Sequence, residues 1–204
     1  MSGPALRVAL AAIVLSALAG CRTAPVAPVI GPGPGADAPW PLQREQLERL
    51  DHYSINGRVA VAASGQGFSA SLRYQQTPGR AEMALDGPMG LGGMRLALAG
   101  EELQVTTSSG ESLDGSAARA EIERRLGFPM PLAELRWWLL GLPAPGEAAI
   151  DQDAVTGEIR GFRQNGWQVS VETRAPALGF ALPRRLIAQR EGARLKLAVD
   201  QWQP

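Results

Sequence analysis

Ala81-Glu82-Met83-Ala84-Leu85 and Met94-Arg95-Leu96-Ala97-Leu98 flank the loop Asp86-Gly87-Pro88-Met89-Gly90-Leu91-Gly92-Gly93, and these 18 residues set the reading of the whole chain. In both flanks the larger apolar groups fall on every second residue, the pattern of a strand with one face turned to a core. The loop between them carries four glycines and a proline, so it can turn without help from packing and project from the surface. Near its tip stands one large apolar side chain, Met89, followed by Leu91. Such a residue either folds back as a plug for a nearby gap or meets a membrane or an apolar partner.

The same period of two runs through the neighbouring chain. Ile55, Val59 and Val61 alternate from Tyr53 to Ala62, with Gly57 among them as a bulge or point of close approach. Phe68, Ala70, Leu72 and Tyr74 alternate with Ser69, Ser71, Arg73 and Gln75, and Pro78-Gly79 turns the chain into the 81–98 stretch. Leu103 and Val105 mark a further strand, with a short return over Glu111 to Asp114. These are the signals of an antiparallel meander.

The period then changes. Ser116 is placed to cap a helix running to Leu126 and stopped by Gly127, and Pro131 to open a second helix through Leu140, stopped by Gly141. Leu132, Leu135, Trp138 and Leu139 share one face of the second, which is too apolar to be solvated on all sides. Trp40 to His52 reads as a third, short amphipathic helix with Leu42, Gln46, Leu47 and Leu50 on one face. Strands resume at Ile159 to Gln164. Asn165-Gly166 before Trp167-Gln168-Val169-Ser170-Val171 is the strongest hairpin signal in the chain. A long connection with Pro176 and Pro183 is expected to lead to Arg185 to Gln189. A strand with Leu195, Leu197 and Val199 closes the fold before Trp202. About ten strands and two central helices result, and a sheet of that length buries its faces by curling around the helices.

The amino terminus reads as an export signal: Arg7 is its only charged side chain, and the apolar run Val8 to Leu18 is too short to span a bilayer. It closes on Leu18-Ala19-Gly20-Cys21, small residues before the only cysteine, the pattern of a bacterial lipoprotein cleavage site. A lone cysteine of an exported chain cannot form an internal disulfide, and its position points to acylation. Arg22 follows where lipoproteins kept at the inner membrane often carry Asp. Residues 23–39 are rich in Pro, Gly and Ala, a composition that stays solvated and extended. The organisation expected is a signal peptide over 1–20, a lipidated cysteine with tether over 21–39, and one domain over 40–204.

Lysine plus arginine equal aspartate plus glutamate, 20 each, so nothing favours nucleic acid. His52, the only histidine, lies beside Asp51 without a nucleophile, and no second histidine or cysteine exists for a metal site. The glycines at 90, 92 and 93 lack the lysine and helix of a phosphate loop. Trp137, Trp138, Trp167 and Trp202 suit core packing better than ring stacking on a ligand. Neither an enzyme nor a cofactor protein is expected.

Several segments together resemble one family, the outer-membrane lipoprotein receptor LolB, which accepts lipoproteins from the periplasmic carrier LolA. They are Asn56-Gly57-Arg58, Tyr74-Gln75-Gln76, Gly87-Pro88-Met89-Gly90, Phe128-Pro129-Met130-Pro131-Leu132, Leu135-Arg136-Trp137-Trp138-Leu139-Leu140-Gly141-Leu142-Pro143, Gln164-Asn165-Gly166-Trp167 and Trp202. The resemblance implies a mainly β fold, an unclosed antiparallel β-barrel of about ten or eleven strands enclosing an apolar cavity, with short helices as a lid. It implies an outer-membrane, lipid-anchored protein on the periplasmic face, with a LolA-like carrier, cargo lipoproteins and membrane lipid as partners. A monomer is expected. It also implies that the loop Gly87, Pro88, Met89, Gly90 and Leu91 inserts cargo into the membrane through Met89, where the family often has Leu. Candidates to line the acyl-chain cavity are Met83, Leu85, Leu96, Leu98, Leu103 and Val105 from the strands, with Leu135, Trp138 and Leu139 from the lid; each could equally be plain core. A lipidated assembly lipoprotein with a solid core, or an apolar-ligand binder that does not pass its ligand on, are the readings of other classes.

Overall fold

The computed structural model describes residues 33–63, 65–87 and 93–204. Eleven strands form one sheet: β1 (Tyr53–Ala63), β2 (Gln66–Thr77), β3 (Arg80–Asp86), β4 (Met94–Ala99), β5 (Glu102–Thr107), β6 (Ser112–Asp114), β7 (Ala149–Gln152), β8 (Ile159–Gln164), β9 (Trp167–Ala177), β10 (Phe180–Arg190) and β11 (Ala193–Gln203). Their order is β6-β5-β4-β3-β2-β1-β11-β10-β9-β8-β7. Two antiparallel meanders are thus joined where the first strand pairs with the last, and among the described residues β6 and β7 are the two edges of the sheet. The sheet is open, as the family resemblance implied.

One connection, residues 115–148, runs from one edge to the other and contains α2 (Gly115–Leu126) and α3 (Leu135–Leu139). It carries the apolar faces of Ile122, Leu126, Trp138 and Leu139 into the same core as the inward strand residues. The period change after Asp114 therefore supplies the cover of an open sheet, which would otherwise expose its concave apolar face.

The inward faces follow the alternation. β1 is buried at Tyr53, Ile55, Gly57, Val59, Val61 and Ala63, and β2 at Ala70, Leu72, Tyr74 and Gln76. Phe68 departs from the expected set and is 38% exposed at the rim. Gly57 is required by close approach: a Cβ there would stand 2.4 Å from the Ala198 carbonyl oxygen, where the β1–β11 register shifts. Asn165 and Gly166 both have positive φ, 50° and 76°, the paired left-handed geometry of the hairpin their sequence announces.

Several expectations are corrected. Residues 176–183 are not a long connection. β9 and β10 are long strands joined by a tight turn at Leu178 and Gly179, with φ of 52° and 77°. A leucine in the left-handed region is a costly turn residue, so the turn has no sequence signature. Pro183 is tolerated because the register shifts beside it. β7 is a strand the sequence hides, because all four of its residues are exposed and show no alternation. The second central helix is five residues long, because Leu132 N–H bonds back to the Met130 carbonyl and takes the chain off the helical path before Leu135. Asp114, not Ser116, occupies the cap position of α2. The first helix, α1 (Trp40–Leu47), buries Trp40, Gln43 and Leu47 and leaves Leu42 44% exposed.

Residues 33–39, expected as the end of the tether, lie on the domain. Gly33 and Gly35 donate backbone hydrogen bonds to the Leu178 and Gly179 carbonyls at 3.3 and 2.9 Å. Gln43 fixes the segment further, donating to Ala36 O and Ala38 O at 3.0 and 2.7 Å and accepting from Ala181 N at 2.8 Å. The Arg174 guanidinium stacks 4.5 Å from the Trp40 ring centroid and donates to Ala181 O and Ile159 O. Burial pulls its pKa down, and Glu158, 2.7 Å away, opposes that.

Candidate functional site

The concave face of the sheet and the underside of the lid enclose an apolar cavity of about 80 Å³. Strands contribute Val59, Val61, Leu72, Tyr74, Met83, Leu85, Val169, Leu186, Ala188, Leu195 and Leu197; the 115–148 connection contributes Leu126, Met130, Pro131, Leu135, Trp138 and Leu139. Met83, Leu85, Leu135, Trp138 and Leu139 are therefore brought together on one cavity. Leu96, Leu98 and Leu103 lie instead around a separate crevice of about 10 Å³, shared with Tyr74, Met83, Leu132 and Leu135. Val105 is fully buried in the packed core and borders neither space. The lining from β1, β2, β9 and β11 was visible in the sequence as alternating apolar faces, that from β10 was not, and nothing local tells which of those faces meets a gap.

The lid is held by a few polar contacts. The Trp138 indole N–H donates to Gln164 Oε1 at 3.1 Å. Gln164, buried with 4% exposure, also accepts from Ala144 N at 2.9 Å and donates to Ala144 O at 2.8 Å. One side chain of β8 thus pins both α3 and the strand-ward segment behind it. Asn165 Nδ2 donates to Glu134 Oε1 at 2.7 Å, and the Tyr53 hydroxyl donates to the Arg136 carbonyl at 2.7 Å. Trp138 packs edge-on against Phe162 and Trp167, each 6.1 Å away, and Phe128 against Trp167 at 5.4 Å. The sequence showed Gln164 only as part of a hairpin; its role depends on contacts 20 and 26 residues away.

At one end of the concave face the two tyrosines of the chain meet, with ring centroids 5.9 Å apart. Tyr74 donates to Gln76 Oε1 at 2.6 Å. Burial pushes the Tyr74 pKa to about 12, against the lowering effects of Tyr53 and Arg136, and burial pushes Tyr53 well above the usual phenol range. Both phenols are held neutral by burial, although the Arg136 charge lies near them.

Of the loop, Gly87 and Gly93 are described; Pro88, Met89, Gly90 and Leu91 lie outside the described residues, as does Cys21. The loop's base is set by Asp86 and Met94. Asp86 is paired with Arg73 at 2.7 Å, and the Gly93 carbonyl lies 3.5 Å from Arg125 in the last turn of α2, whose guanidinium is held by Glu121. The two guanidinium groups of Arg124 and Arg125 bring the Glu121 pKa down to about 2.

Comparisons with known proteins agree with this architecture. The family model described as outer membrane lipoprotein LolB matches residues 51–202. The chain is 33% identical over 199 residues to the outer-membrane lipoprotein LolB of Chromohalobacter salexigens, covering 97% of this chain and 90% of that one. It is 30% identical over 195 residues to that of Stutzerimonas stutzeri, covering 92% and 90%. Among solved structures, a putative outer membrane lipoprotein-sorting protein domain from Vibrio parahaemolyticus has the same fold at a TM-score of 0.51 and 7% identity, covering 78% of this chain and 89% of that one. A sheet open at β6 and β7, a lid threaded between those edges and this match across three quarters of the sequence lead to one conclusion: the chain belongs to the LolB family of outer-membrane lipoproteins.

Proposed function

We propose that the protein is a receptor anchored in the outer membrane through acylated Cys21, that it takes lipoproteins from a periplasmic LolA-like carrier, and that it passes them into the membrane. The observation that carries this reading is the apolar cavity walled on one side by the sheet and on the other by the lid. Acyl chains in water are costly, so a relay moves them between apolar sites in contact and needs neither nucleotide nor covalent step. Direction comes from affinity, each site binding the chains better than the last.

The cavity is small for this cargo. At about 80 Å³ it admits small groups and not the length of an acyl chain. Cargo therefore widens it. The sheet is one hydrogen-bonded ladder, whereas the lid is held by side-chain contacts, among them those of Gln164, Asn165 and Tyr53, so widening occurs on the lid side. Met83, Leu85, Leu135, Trp138 and Leu139 bind the chains there. Leu96, Leu98 and Leu103 join them only if the smaller crevice opens into the cavity.

The loop Gly87 to Leu91 delivers the cargo. Burying one Met side chain contributes about 1.5–3 kcal/mol, enough for Met89 to dip repeatedly into lipid and too little to hold a protein there. Retention belongs to Cys21 and insertion to Met89. The test mixes the lipidated protein in vesicles with a carrier–lipoprotein complex and follows cargo. Wild type takes and delivers it; Met89→Glu takes it and fails to deliver; Met89→Leu does both. Delivery by Met89→Glu at the wild-type rate would return the loop to the role of a plug, and no uptake by wild type would favour a solid-core assembly lipoprotein.

A further inference from the structure

The inward face of β3 passes from one apolar space to the other. Leu85 lines the cavity under the lid, Ala81 lines the smaller crevice, and Met83 between them lines both. Across the ladder Met83 is paired with Tyr74 on β2 and Leu96 on β4, while Ala81 is paired with Leu98. From Leu85 to Ala81 is about 13 Å along the strand, so the two spaces lie end to end with one layer of side chains between them.

That layer is Tyr74, Met83 and Leu135, the residues common to both linings. They differ in freedom. The Tyr74 hydroxyl donates to Gln76 Oε1 at 2.6 Å, and Gln76 Nε2 donates to the Thr77 and Arg80 carbonyls at 2.7 and 3.1 Å, so a buried polar network fixes the ring. Leu135 belongs to α3 and shifts with the lid. Met83 carries an unbranched thioether, a side chain that fills irregular gaps by changing rotamer.

The crevice behind Met83 exists because the inward face of β3 ends on a small residue. Ala81 offers one methyl group where Met83 and Leu85 carry long side chains. Leu98 and Leu132 complete the rim and, like Ala81, are only partly buried. An apolar chain that outgrows the cavity in this direction meets Met83 and then more apolar wall, with no polar group to strip of water on the way.

We infer that the acyl site has two compartments in series, with the Met83 side chain as the partition, and that the crevice beside Ala81 takes the far end of a long chain once Met83 swings aside. Met83 and Ala81 then set the chain length that is bound most tightly. The inference rests on the acyl-binding role proposed above and names the residues that make it selective. Short chains occupy the cavity alone and leave the partition closed.

The test uses the full chain carrying Cys21→Ala, which removes its own acyl group as a competitor. Displacement of a fluorescent fatty-acid probe by octanoic, lauric and palmitic acid is measured, and each methylene that finds apolar cover gains about fourfold in affinity. Ala81→Leu fills the crevice from β3; it should leave octanoic acid within about twofold and weaken palmitic acid about tenfold or more, the loss of about two methylenes. Leu98→Phe fills the crevice from β4 and should give the same split, so the outcome does not hang on one variant. Met83→Ala removes the partition and should strengthen palmitic acid relative to octanoic acid by about fourfold. Circular dichroism verifies that each variant is folded. Folded crevice-filling variants that bind all three acids as wild type does, or that weaken all three equally, overturn the partition. Wild type that binds none of the acids overturns the proposed function itself, so the two failures are distinct.

Discussion

Replacing Gln164 by Leu keeps most of the side-chain volume and removes every hydrogen bond that the buried amide makes. The Trp138 indole N–H, 3.1 Å from Oε1, loses its acceptor; Ala144 loses partners for its N–H at 2.9 Å and its carbonyl at 2.8 Å. Trp138 is 4% exposed and Ala144 9%, so water does not readily replace the amide. Leaving a buried polar group unsatisfied costs about 1–3 kcal/mol, and three groups sharing one partner relax together, so the expected loss is about 3–5 kcal/mol. That is a large share of the 5–15 kcal/mol (about) that stabilises a typical domain. Urea unfolding of the purified chain, followed by near-ultraviolet circular dichroism, measures it. Trp138→Phe removes one of the three bonds and some packing, and in the double variant the two losses should fall short of their sum, because the indole bond is absent from both single variants. A loss under about 1 kcal/mol for Gln164→Leu would refute the idea that this amide pins the lid.

Gly57→Ala places a Cβ against the Ala198 carbonyl oxygen, 2.4 Å away, and should destabilise by about 1–3 kcal/mol through the β1–β11 seam, read as a lower unfolding midpoint. The buried phenols make the fold sensitive to alkali. The Tyr74 pKa is raised from 10.0 to about 12 in the fold, so its stabilisation, about 2–3 kcal/mol, is fully present below pH 10 and is lost as pH rises toward 12. Phenolate absorbance should therefore appear together with unfolding, and a free titration near pH 10 in the folded protein would contradict the burial. Cys21→Ala should release the chain from the membrane fraction at high salt if acylation is its anchor; retention in the pellet would require another one.

How much of this was readable in the sequence depends on how far each signal reaches along the chain. Alternation is local, so β1 to β5, β8 and β11 were found from their own residues, as was the Asn165-Gly166 hairpin, whose two left-handed positions those residue types tolerate. The Leu178–Gly179 turn and exposed β7 carry no such signal. Leucine does not favour a left-handed φ, and a strand with both faces in water has no reason to alternate. The same limit applied to the lid. Leu135, Trp138 and Leu139 were plainly a buried face, but that the face closes over a gap rather than a packed layer is decided by the distance between sheet and helix.

Sequence by itself determined the strand faces, the polar-free loop chemistry around Met89, the position of the lone Cys21 and the family resemblance, because each is written in neighbouring residues or in a motif. Tertiary structure alone decided which apolar residues share a cavity, that Leu96, Leu98 and Leu103 stand apart from it, that Val105 is core, and that Gln164 ties the lid to the sheet. It also decided that Gly33 and Gly35 are held at the β9–β10 turn, a contact that spans more than 140 residues of sequence. The physical reason is the same throughout: side-chain period is set by the backbone within a few residues, whereas enclosure and separation are properties of surfaces that meet only after the sheet has curled.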